Sequence, residues 1–384
     1  MNSASGPSPR VSVLSMRRLS RLVAYCLPYE FEDSIVALSG ASLLVPEDRD
    51  GLENSRRIYR LLRAGSRSPV LARALSPRPH VWEAPEGDLF IAVLNDTWDA
   101  YVLSTMRGWR ERHNHATCFV SEAWAHLMPP DYLLELLQPF DEIFVGTHHV
   151  AEVLQTRTGR PCSYLPLASD VLRFAPMVPP SVRSIEVCNI GRRSAPTHEA
   201  LLRHAEQTRS LYYYDTAIAS GHGRSFQVED ARQHRLLLAS LLKRSRYFIA
   251  NRARINDPVY SNRVHEISGR FFEGAAAGTV MLGMPADSAN YRVQFSWPDA
   301  VVELPFDCPD IGQRIAELDQ DRSRLARIRR DNVTNSARRH DWSHRLRSIF
   351  DRFGLAPTDA MLMREQALEK LALAAENGEL ELAG

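Results

Sequence analysis

The stretch Gly269-Arg270-Phe271-Phe272-Glu273-Gly274-Ala275-Ala276-Ala277-Gly278-Thr279-Val280-Met281-Leu282-Gly283 decides how this chain is read. A loop turns into a helix at the Phe-Glu pair, a run of tiny side chains follows, and a glycine leads into an apolar, strand-like segment. A helix starting here offers unpaired backbone N–H groups and the positive end of its dipole to an anion. Its small residues let it lie very close to a neighbouring strand or a ligand. Glu273, placed on the first turn, has two readings. It is either a carboxylate for ribose hydroxyls beside phosphate-holding N–H groups, or a residue that stabilises the helix dipole at a packed corner.

Outward from this segment, strand-like and helix-like periods alternate. Apolar runs at 88–94, 116–120, 142–145 and 163–166 read as one set of strands, and those at 185–190, 211–214, 247–250, 279–282 and 300–304 as a second. Helical periods cover 98–112, 131–137, 147–158, 198–208 and 228–243 between them, and 310–318, 322–339, 342–353 and 361–376 at the end. Residues 22–26 and 34–46 read as the first strands. Residues 52–75 read as one arginine-rich helix, with Ile58, Leu61, Leu62, Val70, Leu71 and Leu75 facing inward. Alternation at this pace predicts α/β architecture with parallel, doubly wound sheets. A chain of 384 residues suits two such domains. Prolines at 176, 179 and 180 place the boundary there. The expected division is a disordered tail over 1–18, a first domain over 19–176, a second over 177–350 and terminal helices over 351–384.

Composition narrows the function classes. A net charge of +1 argues against a nucleic-acid binder that works by bulk electrostatics. All but two of the 47 basic residues are arginine, the exceptions being Lys243 and Lys370, a skew that GC-rich coding explains most simply. Cys26, Cys118, Cys162, Cys188 and Cys308 are scattered, as buried thiols in a reducing compartment would be, and match neither a zinc site nor a disulfide framework. The chain contains no apolar run long enough for a membrane span. Walker, G-x-S-x-G and H-E-x-x-H motifs are absent. Asp48-Arg49-Asp50 and Asp319-Gln320-Asp321 imitate a metal-binding D-x-D but sit among hydrophilic residues, and are read as solvated charges.

Three segments in order carry a family resemblance. Arg270 to Gly278 resembles the R-x-F-E-A-x-A-C-G segment of group-1 glycosyltransferases of the GT-B fold, especially the spore-maturation (CgeB-like) subgroup. Tyr164-Leu165-Pro166-Leu167-Ala168-Ser169-Asp170-Val171-Leu172-Arg173-Phe174-Ala175-Pro176 resembles the interdomain segment of that family, and Val187-Cys188-Asn189-Ile190-Gly191-Arg192-Arg193 its first nucleotide-domain strand and loop. The resemblance implies two Rossmann-like domains facing a cleft, with the terminal helices crossing back to the first domain. It further implies transfer of a sugar from a UDP- or GDP-linked donor to a hydroxyl acceptor, without an essential metal and with retention. The setting implied is cytoplasmic assembly of a polysaccharide, glycan or glycosylated metabolite, with peripheral membrane contact left open and no nucleic-acid partner. Two departures stand out. The related E-x7-E enzymes carry a first glutamate where this chain has His265, with Glu266 one residue off, and no lysine follows Gly191-Arg192. A sugar-nucleotide epimerase and a non-catalytic sugar-nucleotide binder therefore stay open as alternatives.

Ligands of open parallel sheets bind beyond the carboxyl ends of the strands. That rule selects Gly191 and Arg192, Asn251 and Arg252, and the loop before Glu273. Ser268, Gly269 and Arg270 would surround a diphosphate, Arg270 by charge and the others through backbone N–H. Arg192 and Arg252 read equally as solvated arginines. His265 and Glu266 compete for the role of the missing glutamate, within a polar segment (253–267) that reads also as an ordinary surface loop. In the first domain Glu122, after its strand, reads either as an acid/base group for the acceptor or as a carboxylate near a helix start. Asp96 invites the same two readings.

Overall fold

The computed structural model describes residues 8–47, 49–66, 68–77, 81–176, 182–215, 226–257 and 263–380. The chain forms two units, one of Met1–Pro166, Phe226–Ala231 and Arg345–Leu362, the other of Leu167–Ser225, Arg232–His344 and Met363–Gly384. The division falls at Pro166, ahead of the proline run, because Val171 and Phe174 are buried in the core of the second unit. Residues 177–180, where the sequence reading places the boundary, lie outside the described residues.

Strands of the first unit are β1 (Val11–Leu14), β2 (Ser42–Leu44), β3 (Trp82–Glu83), β4 (Gly87–Leu94), β5 (Met106–Arg107), β6 (His113–Val120), β7 (Glu142–Val145) and β8 (Cys162–Tyr164). Six form a parallel sheet in the order β2-β1-β4-β6-β7-β8, while β3 and β5 pair separately. Burial from Leu89 through Leu94 and from Ala116 through Val120 is nearly unbroken along β4 and β6, as a sheet covered on both faces requires.

Several local expectations are corrected here. Residues 11–14, assigned to a disordered tail, are an inner strand of the sheet, because Val11, Val13 and Leu14 fill its core. Residues 22–26 and 34–39 are not strands. A 3-10 turn, Val23–Tyr25, leads into the helix Cys26–Ser39, which ends at Gly40 with φ +67°. The expected helix at 98–112 is a 3-10 segment, Thr97–Thr105, held by a capping box between Asp96 and Asp99. The segment 52–75 breaks into two helices, Arg49–Ser66 and Pro69–Leu75, since Ser68 caps a second start just before Pro69. Leu52, Ser55, Tyr59 and Ala72 face inward in those helices, whereas Leu61, Val70, Leu71 and Leu75 are 52–74% exposed.

Just beyond β1, Ser15 Oγ donates to Glu32 Oε2 at 2.6 Å and Arg17 Nε donates to the same oxygen at 2.8 Å. Glu32 is fully buried, and burial pushes its carboxyl up to about 7 even though Arg17 and these bonds pull it down. The folded state therefore holds this proton more tightly than an unfolded chain, whose carboxyl titrates near 4.5. The corresponding stability is complete below pH 4.5 and is lost as pH rises towards 7. Glu32→Gln should become more stable relative to the parent across that window, by on the order of 2–3 kcal/mol. Urea midpoints of both proteins from acid to neutral pH check this, and a constant difference between them would contradict it.

The second unit holds β9 (Ile185–Asn189), β10 (Tyr212–Tyr214), β11 (Ser245–Ile249), β12 (Val280–Gly283) and β13 (Val302–Glu303) in the parallel order β10-β9-β11-β12-β13. The chain leaves β9 in one direction to form β10 and in the other to form β11. A switch point, where doubly wound sheets bind ligands, therefore opens between the ends of β9 and β11. The helix Gly269–Ala276 lies directly on this sheet. A side-chain carbon on Gly274 would stand 2.6 Å from Met281 Sδ and 2.9 Å from Phe248. Where that helix ends, Arg183 donates to the carbonyls of Ala277 and Gly278, both at 3.0 Å, and to Ser245 O at 2.6 Å. Asp319 of the imitation D-x-D is not a solvated charge. It accepts from Arg246 Nη2 at 2.5 Å and from the Tyr247 hydroxyl at 2.6 Å, while Asp48 lies outside the described residues.

Candidate functional site

At the carboxyl end of β9 the chain turns through Gly191 with φ +77°, a conformation glycine adopts without strain. Its N–H donates to Asp215 Oδ2, at the end of the adjacent β10. The missing side chain of Gly191 leaves room for Arg270, whose guanidinium lies where a β-carbon would be. Arg270 is the second residue of the helix Gly269–Ala276, and Ser268 caps it, accepting from Arg270 N at 3.4 Å. A strand-end turn, an arginine and a helix N-terminus thus come together on one edge of the sheet.

Glu273 is the fifth residue of this helix, so it stands on the second turn and not the first as the sequence reading had it. It is buried, and Arg235 of the helix Ala231–Lys243 donates to its Oε1. The Arg235 guanidinium also lies 4.9 Å from the centre of the Phe174 ring. Arg235 holds the carboxylate in place, and Oε2 makes no hydrogen bond among the described residues. The Arg270 guanidinium likewise makes no hydrogen bond or ion pair among the described residues. Burial pulls its pKa below the usual arginine value, with Arg192 adding to the shift and Glu273 and Asp215 opposing it. His234 belongs to the same neighbourhood, since burial and then Arg235 depress its pKa while Glu273 and Asp215 act in the opposite direction.

Gly191, Arg192, Ser268, Gly269, Arg270 and Glu273 therefore lie near one another at this edge of the sheet, with Arg192 exposed. Asn251 and Arg252 follow β11 on the other side of the switch point. Asn251 Oδ1 accepts from Met284 N at 2.8 Å, and Arg252 is buried with its Nη1 2.6 Å from Met284 Sδ. Both therefore shape the loop after β12, and the reading of Arg252 as a solvated arginine is corrected. His265 is half-buried and Glu266 buried in the extended segment before Ser268, where the Glu266 carbonyl accepts from Ala253 N at 3.0 Å. Tyr260 and Asn262 of the polar loop lie outside the described residues.

Sequence reasoning missed Asp215, His234 and Arg235. The strand-end rule reaches Asp215, which directly follows Tyr214. Nothing in the helix Ala231–Lys243 distinguishes His234 and Arg235 from its other polar residues.

The first unit gathers carboxylates at its own strand ends. Glu122, beyond β6, accepts from Trp124 Nε1 at 2.8 Å, and its N–H donates to Asn95 O at 2.8 Å. Asp99 accepts from the Tyr25 hydroxyl at 2.8 Å and from Asn95 N at 2.9 Å. Burial, followed by the charge of Asp96, pushes Asp99 up to about 7, and burial, with Glu122 adding, raises Asp96 as well. Asp99 lines a cavity of about 240 Å³ with Met16, Tyr25, Arg56 and Trp98. Such carboxyls can hold or accept a proton near neutral pH.

Residues 198–351 match a family described as "Glycosyl transferase-like", a span that includes Asp215, His234, Arg235, Arg270 and Glu273. No curated protein matches the chain. A solved alpha-glucosyltransferase in complex with UDP and a mismatch-containing 13-mer DNA superposes with a TM-score of 0.50 at 11% identity, covering 91% of this chain and 100% of that one. A putative UDP-N-acetylglucosamine 2-epimerase from Listeria monocytogenes superposes with a TM-score of 0.43 at 10% identity, covering 91% and 97%. A trehalose-phosphate synthase from Burkholderia vietnamiensis gives 0.41 at 11% identity, covering 94% and 84%. The first shares the two-unit α/β fold. Among the described residues no helix is long and apolar enough to cross a membrane.

Proposed function

We propose that the chain is a glycosyltransferase whose second unit binds a nucleotide-diphosphate sugar, UDP- or GDP-linked. The observation that carries this reading is Arg270, whose guanidinium makes no hydrogen bond among the described residues and is held over Gly191 at the start of the helix Gly269–Ala276. The guanidinium fork and the helix N–H groups take the diphosphate, and they stabilise the charge that grows on it as the sugar departs. Glu273, fixed by Arg235, offers its second oxygen to the ribose hydroxyls. His265 and Glu266 are the groups assigned to the sugar, and Glu122 and Asp96 those assigned to the acceptor hydroxyl. The charge is supplied by arginine and backbone, so no metal enters the scheme, and the anomeric configuration is retained. The products belong to polysaccharide, glycan or glycosylated-metabolite synthesis in the cytoplasm.

Incubating the protein with a panel of sugar nucleotides, in EDTA and without acceptor, tests the reading. Slow release of free sugar and nucleoside diphosphate from one donor is expected. Conversion of a donor into its epimer would replace transfer with isomerisation, and loss of all turnover in EDTA would overturn the metal-free scheme.

A further inference from the structure

Beside the helix Arg49–Ser66 the first unit holds a second cavity, of about 490 Å³, a size typical of small-molecule sites. Tyr59, Tyr101, Leu103, Met106 and Trp109 give it apolar, largely aromatic walls. Ring packing fixes those walls in advance of any ligand. The Trp109 ring lies 5.0 Å from Phe90 and 4.8 Å from Phe140, centre to centre, and the Tyr59 ring 5.6 Å from Tyr101. The cavity is distinct from the carboxylates at the strand ends. Arg107 and Trp109 come just before β6, and Leu136 and Pro139 just before β7, so these walls stand toward the amino ends of the strands. Asp96, Asp99 and Glu122 follow β4 and β6 at the opposite ends.

The polar groups left over in this cavity are donors. The Tyr59 hydroxyl is shielded from water, in a residue 1% exposed, and makes no hydrogen bond among the described residues. Folded proteins seldom leave such a group unpaired. The Trp109 indole N–H and the Arg107 guanidinium make no hydrogen bond among the described residues either. The lining serines are engaged already: Ser55 with the Tyr101 hydroxyl at 2.7 Å, Ser76 with Ala72 O at 2.6 Å and Ser104 with Tyr101 O at 2.7 Å. Arg107 is the one charged residue lining the cavity among the described residues. Aromatic walls select a flat apolar body, and an arginine beside neutral N–H and O–H donors selects an anionic acceptor. We propose that this cavity binds a small aromatic carboxylate, its rings against Tyr101 and Trp109 and its carboxylate on Arg107 and the Tyr59 hydroxyl. This inference is independent of the donor site in the second unit.

Equilibrium dialysis of the full chain against naphthoate tests it, with naphthalenemethanol as the neutral counterpart. Naphthoate should bind saturably, and the alcohol at least about tenfold more weakly. Arg107→Gln should cut naphthoate affinity by at least about tenfold and leave that of the alcohol unchanged. Tyr59→Phe should cost about fivefold in naphthoate affinity. Arg107 is exposed, so its variant should keep the parent's melting midpoint. The Tyr59 hydroxyl has no partner to lose among the described residues, so Tyr59→Phe should melt no lower than the parent. Excess uridine diphosphate should leave bound naphthoate in place. Absence of saturable naphthoate binding, equal affinity for acid and alcohol, or variants that bind naphthoate like the parent would overturn the proposal. Displacement by uridine diphosphate would also overturn it, by moving the anion site to the second unit.

Discussion

Replacing Arg270 with glutamine should weaken binding of a nucleoside diphosphate by about 2–3 kcal/mol, or roughly 30- to 150-fold. The Arg270 guanidinium makes no hydrogen bond among the described residues, so the loss should fall on the ligand and much less on the fold. Arg270→Lys should lie between the two, because an ammonium keeps the charge but not the planar fork that matches two phosphate oxygens. Isothermal titration of the three proteins with the same nucleotide reads these differences directly. Affinity that survives in Arg270→Gln would remove this arginine from the site, whatever the chain's activity proves to be.

Arg235→Met should act on the fold in the opposite sense. Arg235 and Glu273 are both buried, with side chains 4% and 8% exposed. Removing the cation strands a carboxylate in the interior, a loss of about 3–5 kcal/mol in comparable buried pairs. Adding Glu273→Gln to the same protein removes the stranded charge, so the double variant should recover most of that loss. Denaturant unfolding of the parent, the two single variants and the double variant measures the coupling. A destabilisation below about 1 kcal/mol in Arg235→Met would mean the pair contributes little in the folded protein. The double variant should nevertheless bind nucleotide poorly, since it has lost the carboxylate assigned to the ribose.

These two residues also mark how far the sequence could be read. The sheets were legible because their inner strands carry largely apolar runs, residues 89–94 in Gly87–Leu94 and 116–120 in His113–Val120, flanked by polar residues. The helix Gly269–Ala276 was legible from its row of small residues, but the sequence reading starts it at the Phe-Glu pair, whereas it begins at Gly269 behind the capping Ser268. Val11–Leu14 was not legible, since a four-residue strand behind a Ser/Pro/Arg-rich segment gains its identity only from the two strands that flank it. The outward turn of Leu61, Leu71 and Leu75 was equally hidden. Periodicity shows which residues share a face and leaves open which face meets the core. The partner of Glu273 was out of reach for a related reason. Arg235 precedes it by 38 residues, and only the packing of two helices brings them together.

Phosphate-dependent binding tests the central claim most directly. The protein should be titrated with uridine and guanosine diphosphates and with the corresponding nucleosides, which lack the groups that Arg270 and the helix N–H atoms are proposed to hold. One diphosphate should bind saturably, and its nucleoside should bind at least about 100-fold more weakly, a difference of roughly 3 kcal/mol. Equal affinity for diphosphate and nucleoside, or binding of neither diphosphate, would contradict the assignment of this strand-end site to a nucleotide-diphosphate sugar.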